Sequence, residues 1–131
     1  MSDQLHHGRC VCGRIQCHIA NDPIWIGHCH CQSCRRNTGA ALATFVGVAE
    51  EKYFVDRGEP ASYESSPGVR RRFCGDCGTP LTYASDRFPG EVHLYISTLD
   101  EPDWFPPSFH VFCGEKIGWF ETSDDLPRHL V

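Results

Sequence analysis

No apolar run in the sequence approaches the ~20 residues that a membrane-spanning helix needs. The opening MSDQLHHGRC has no hydrophobic segment of the secretory kind. Both absences point to a cytoplasmic protein without a membrane partner. Positive charge is also scarce, since 12 Lys and Arg stand against 17 Asp and Glu, for a formal charge of −5. That balance, with no basic tail, argues against nucleic acid as a partner. No linker, internal break or low-complexity tract divides the 131 residues, which suffice for a domain burying roughly two-thirds of its unfolded surface. Residues 1–131 are therefore read as one domain, present as a monomer or a homodimer.

Long helical periodicity is missing too. Arg14 to Ile19 alternates polar and apolar residues, the signature of a half-buried strand. Leu42 to Val48, Tyr53 to Val55, Ser62 to Glu64, Arg71 to Phe73, Leu81 to Tyr83 and Val92 to Ser97 read as further strands. Phe109 to Phe112 follows a stiff connection marked by Pro102, Pro106 and Pro107, and Lys116 to Phe120 is read as a last short strand. Gln32 to Asn37 alone suggests a short helix. Many short strands with almost no helix predict a mainly β, antiparallel sheet fold.

Cysteine is abundant: nine residues, an odd number in a chain expected to meet a reducing compartment. Both points argue against a disulfide framework. Seven of the nine fall in tight clusters, Cys10-Val-Cys12-Gly13, Cys29-His-Cys31-Gln-Ser-Cys34 and Cys74-Gly-Asp-Cys77-Gly78. Such spacings bring sulfurs to one side of a turn, where a soft divalent cation is gripped. Zinc takes four such ligands in a structural site and three plus an open position in a catalytic one. The first and third clusters echo each other, each closed by a glycine suited to positive φ. They predict one closed site of Cys10, Cys12, Cys74 and Cys77, a staple between distant strand ends.

The middle cluster supplies only Cys29, Cys31 and Cys34, so a second zinc there would keep an exchangeable position. A metal with an open position lowers the pKa of whatever binds it and polarises a carbonyl. Three thiolates blunt Lewis acidity, so the site suits capture of a substrate thiol more than activation of water. The alternatives are three thiols that bind no metal at rest, or a second purely stabilising site. His28, His30 and His110 are candidates for a fourth ligand, although His28 and His30 alternate with the cysteines and point to the other face of extended backbone. His110, flanked by Phe109 and Phe112, reads by itself as a core histidine. Arg35 and Arg36 after Cys34, and Arg70, Arg71 and Arg72 before Cys74, would offset thiolate charge. Cys17 and Cys113 read as buried core.

Taken with their neighbours, the clusters resemble the glutathione-dependent formaldehyde-activating family, which also has a centromere-associated branch. The resemblance rests on Gly8-Arg-Cys10-Val-Cys12-Gly13-Arg-Ile15, on Cys29-His-Cys31-Gln-Ser-Cys34-Arg35-Arg36-Asn-Thr38-Gly39-Ala40, and on Arg72-Phe73-Cys74-Gly-Asp-Cys77-Gly78-Thr79-Pro80-Leu81. It extends through His110 and Trp119, so it spans residues 8 to about 128. It implies a β-tent fold with two zinc ions per chain, one structural and one catalytic. It further implies a carbon–sulfur lyase of the S-hydroxymethylglutathione synthase type, with glutathione and formaldehyde as partners. Arg35, Thr38 and Gly39 would then sit beside the catalytic zinc and His110 would line the site; Arg35 and Arg36, whose guanidiniums pair with carboxylates in bidentate fashion, are the candidate anchors for substrate carboxylates. Rival readings are a non-catalytic thiol-binding module, a structural protein, and a redox switch that ejects zinc on oxidation.

Overall fold

The computed structural model describes residues 4–131, so residues 1–3 of the expected domain lie outside it. Ten strands and one α-helix are present among the described residues: β1 Leu5–Arg9, β2 Gln16–Ala20, β3 Trp25–Cys29, α1 Gln32–Thr38, β4 Ala43–Ala49, β5 Tyr53–Arg57, β6 Ala61–Ser66, β7 Val69–Phe73, β8 Pro80–Ser85, β9 Glu91–Tyr95 and β10 His110–Val111. The chain is mainly β, as its patterning predicts.

Three local expectations change. Residue patterning alone predicts neither β1 nor β3, because Gly8 and Gly27 dilute strand composition and Pro23 precedes β3. Lys116 to Phe120 is not a strand; Lys116 folds it into a turn by donating from Nζ to the carbonyls of Ile117 and Phe120 and to Glu121. Cys113 is only half-buried in a short 3-10 turn, entered through a left-handed Phe112 at φ 55°.

The strands form two sheets. A small one has the order β1-β2-β5, and a seven-stranded one the order β10-β3-β4-β9-β8-β7-β6. Pairings are antiparallel except β10 with β3, which run parallel and bring His110 beside His28. Cys17 and Ile19 of the small sheet pack with Val46, Val48 and Leu94 of the large one, closed by Leu99 and Phe105. Fully burying each such aliphatic or aromatic side chain contributes about 1.5–3 kcal/mol.

Side chains alternate across a strand, so the large sheet has a second face. Val46 and Leu94 point into the core between the sheets, whereas Phe45 and Tyr95 join Cys29, Cys34 and Ala43 in a separate buried cluster. Cross-strand register extends this second face across the sheet. Trp25 lies opposite Gly47, Gly47 opposite His93, His93 opposite Tyr83, and Tyr83 opposite Arg71. The glycine is required, since a Cβ at Gly47 would run into the Trp25 indole. Gly27 plays the same part for Phe109, whose ring would be 2.5 Å from an added Cβ.

Candidate metal centres and active-site cavity

Two thiol knuckles meet at one edge of the molecule. In each, the first cysteine's carbonyl accepts from a glycine N–H, Gly13 to Cys10 and Gly78 to Cys74. Both glycines have positive φ, 79° and 80°, which a side chain would strain. The knuckles connect β1 to β2 and β7 to β8, so they join the two sheets. All four sulfurs lie within 4.8 Å of one another. Cys10 Sγ is 3.6 Å from Cys12 Sγ, and Cys12 Sγ is 3.8 Å from Cys74 Sγ.

Those separations fit a metal rather than a bond between sulfurs. A disulfide would be about 2.05 Å long, whereas tetrahedral zinc with bonds of about 2.3 Å to sulfur sets sulfur–sulfur edges of about 3.8 Å. Burial opposes ionisation of Cys10, but the Ile15 backbone N–H donates to its Sγ and holds the thiol down, and Cys77 N–H donates to Cys74 Sγ. Hydrogen bonds from Thr79 and the Cys12 backbone hold Cys77 down to about 5. The donor set therefore suits zinc.

The second cluster is built by a strand end and a helix start. Cys29 closes β3, and Cys31 caps α1 by accepting from Cys34 N–H at 3.3 Å. Cys34 sits in the first turn of α1, its Sγ 3.7 Å from that of Cys29. These three sulfurs also lie within 4.8 Å of one another, and the separation again matches a zinc edge. Hydrogen bonds from Cys29 and Cys34 hold Cys31 down to about 2, as the thiolate. Cys29 is pushed up by its hydrogen bonds to Cys31 and Cys34 and by burial.

The buried cation of this centre is Arg71. Its Nη2 stands 4.0 Å from Cys34 Sγ, its Nη1 donates to Tyr95 Oη at 2.8 Å and its Nε to Ser65 Oγ at 3.1 Å. The guanidinium lies over the Tyr83 ring, 5.0 Å from its centre. Burial opposes the charge, but the Tyr95 phenol and Cys34 sulfur hold Arg71 more firmly protonated. Tyr95 Oη in turn accepts from Asn37 Nδ2 on α1.

Above the thiols opens a cavity of about 550 Å³. Cys29, Cys31 and Cys34 contribute to its lining with Arg71, and Trp25, Phe45, Tyr83, Phe88, Phe109 and Phe112 supply its rings. A depression of about 620 Å³, flanked by Tyr53, Arg70 and Arg72, is larger but holds no thiol cluster, and so is not the chemical site.

None of Arg35, Arg36, Thr38, Gly39 and His110 lines the thiol cavity. Arg35 donates to the carbonyls of His30 and Glu115, tying α1 down. Arg36 is exposed. Thr38 Oγ1 donates to Cys34 O, and Gly39 caps α1 in a left-handed turn at φ 66°. His110 is buried in a chain in which its Nδ1 is 2.8 Å from His30 Nε2 and its Nε2 is 3.0 Å from Asp124. His28, bonded to Thr44 Oγ1, packs against the His110 ring. Arg71 was expected to offset charge near Cys74, and it serves Cys34 instead. Its place on the same strand face as Val69 and Phe73 was the available signal.

Comparison with known proteins places this geometry in a family. The family described as glutathione-dependent formaldehyde-activating enzyme matches residues 5–115, most of the chain. The chain belongs to that family. A Halomonas elongata protein, named provisionally as such an enzyme, is 27% identical over 127 residues, covering 89% of this chain and 80% of its own. An uncharacterized lyase of Schizosaccharomyces pombe is 27% identical over 79 residues, covering 60% of this chain and 57% of its own. The crystal structure of a Rhodobacter sphaeroides protein shares the fold, with a TM-score of 0.61 at 18% identity over 93% of this chain and 98% of that one. Among the described residues no helix is long and apolar enough to cross a membrane.

Proposed function

We propose that the chain is a zinc-dependent carbon–sulfur lyase of the S-hydroxymethylglutathione synthase type, joining a thiol such as glutathione to formaldehyde or another small aldehyde. The observation that carries this reading is the placement of Cys29, Cys31 and Cys34 at zinc-compatible separations in the lining of a cavity. The reading takes two zinc ions per chain, one held by Cys10, Cys12, Cys74 and Cys77, the other by Cys29, Cys31 and Cys34. It takes residues 1–131 as one cytoplasmic domain, monomeric or homodimeric.

Zinc bound by the three thiolates would supply an exchangeable fourth position and lower the pKa of a thiol that reaches it. The chain's own residues do the rest. Arg71 offsets the negative charge of the three sulfurs from a buried position. The aromatic walls confine the aldehyde beside the thiol. In the reaction the S–C bond forms, the thiol proton passes to the carbonyl oxygen, and the product is a hydroxymethyl thioether; the reverse step breaks the same bond. Thiol and aldehyde combine without help, so confinement at high effective concentration is the main contribution. Arg35, Thr38 and Gly39 hold α1, and with it Cys31 and Cys34.

The test is exchange spectroscopy on an equilibrated mixture of thiol and formaldehyde. Zinc-loaded protein should raise the exchange rate between free and hydroxymethylated thiol in proportion to its concentration, and Cys31→Ser should not. Saturable thiol binding without faster exchange would establish the non-catalytic thiol-binding alternative instead.

A further inference from the structure

We propose that His7, His18 and Asp56 form a third metal site, for a divalent transition-metal ion such as zinc, on the outer face of the small sheet. It shares no residue with the two thiol clusters and does not depend on how they are read.

Sheet order brings the three residues together. β2 lies between β1 and β5, and each strand supplies one of them. His6, Cys17 and Ile19 are buried, so alternation turns His7 and His18 to the outer face. Register then sets His7 directly opposite His18, with ring centres 5.7 Å apart. On the other side β5 bulges. Gln16 pairs with Arg57 and Cys17 with Val55, which leaves Asp56 as the extra residue without a cross-strand partner. A bulge re-aims the side chain it carries, and here both carboxylate oxygens stand 2.8 Å from His18 Nδ1. Phe54 stacks on the His18 ring at 4.8 Å and fixes its plane.

The donors suit a metal. One ligand atom from each of the three residues lies within 4.8 Å of the other two. Zinc bonds of about 2.0–2.2 Å to nitrogen and oxygen set edges of about 3.4 Å between ligands, so small side-chain rotations complete the site. Two imidazoles and one carboxylate select zinc, nickel or copper over calcium or magnesium. The His18–Asp56 contact alone is an ordinary ion pair; the exposed His7 ring, which makes no side-chain hydrogen bond among the described residues, supplies the third donor. Exposure lets water complete the coordination, so the ion binds more weakly than at a closed thiol site. Once bound, it ties β1, β2 and β5 together through their side chains.

Equilibrium dialysis of the purified protein against zinc compares wild type with His7→Gln and Asp56→Asn. Both variants keep all seven clustered thiols, so the thiol centres cancel in the comparison. At the free zinc that just saturates wild type, wild type should hold one ion more than His7→Gln. Asp56→Asn should bind that ion about tenfold more weakly. Excess zinc should raise the melting temperature of wild type and leave that of His7→Gln unmoved. His129→Gln, which removes an exposed histidine elsewhere, should keep the extra ion. Equal zinc content in wild type and folded His7→Gln would overturn the proposal. So would loss of the extra ion in His129→Gln, since that marks nonspecific capture by surface histidines.

Discussion

Arg71 Nη2 lies 4.0 Å from Cys34 Sγ, and the two residues are 37 positions apart in sequence. A buried guanidinium beside three sulfurs stabilises their thiolate forms and thus the metal they would hold. Partners of metal ligands typically contribute 10–100-fold in affinity. Arg71→Gln should therefore weaken zinc at the second site by about tenfold or more, measured by chelator competition. Arg36→Gln, at an exposed position, should leave it unchanged. Equal zinc affinity in wild type and Arg71→Gln would remove Arg71 from this role.

The four-thiol staple gives the largest expected effect on folding. It joins the β1–β2 and β7–β8 turns, which otherwise share the Val11 N–H to Thr79 bond and the exposed Arg14–Asp76 pair. Structural zinc contributes about 10–16 kcal/mol of apparent binding free energy in small systems, against ~5–15 kcal/mol of net stability for a whole domain. Cys74→Ser is expected to be insoluble or to lose cooperative melting. A soluble, cooperatively melting variant with one zinc fewer would refute the assignment.

Gly27→Ala tests the cavity wall without touching a thiol. The added methyl meets the Phe109 ring at 2.5 Å and must displace it. Overpacking of this kind costs about 1–3 kcal/mol, so thermal stability should fall by that amount and affinity for bulky thiols should fall with it. Unchanged thiol affinity would mean that Phe109 does not line the productive cavity.

Acid sensitivity should trace partly to His93. Its ring is buried between Trp25 and Tyr83. Burial pushes its pKa down, outweighing the opposite pull of Glu91, whose carboxylate accepts from Nε2. The fold thus prefers neutral imidazole. Stability from this group is complete above the unfolded value of about 6.5 and is lost as pH falls below it toward the folded value. His28 and His30 shift in the same direction, also through burial. With zinc saturating, His93→Gln should lower the urea midpoint at pH 8 yet flatten its decline from pH 6.5 to 5.5. An identical decline in both proteins would contradict the assignment.

Chemistry that depends on short spacing was legible in the sequence. Cys10-x-Cys12-Gly13 and Cys74-x-x-Cys77-Gly78 announce their turns, and the positive φ of Gly13 and Gly78 follows from the knuckle itself. Alternation also placed His28 and His30 on the face opposite Cys29. The cavity was not legible. Its row from Trp25 through Gly47, His93 and Tyr83 to Arg71 depends on β4 pairing with β9 and β9 with β8. Strand order of that kind is a property of the whole sheet, and local patterning does not encode it. Arg71, in a run of three arginines, therefore read as a neighbour of Cys74 until register set it beside Cys34.

Zinc stoichiometry of the purified protein, with and without millimolar thiol and beside Cys31→Ser, tests the central claim most directly. The account predicts two zinc ions in the wild type, one in the folded variant, and thiol bound only to the former. One zinc in both proteins would mean that Cys29, Cys31 and Cys34 hold no metal at rest, and the thiol-capture reading would fall.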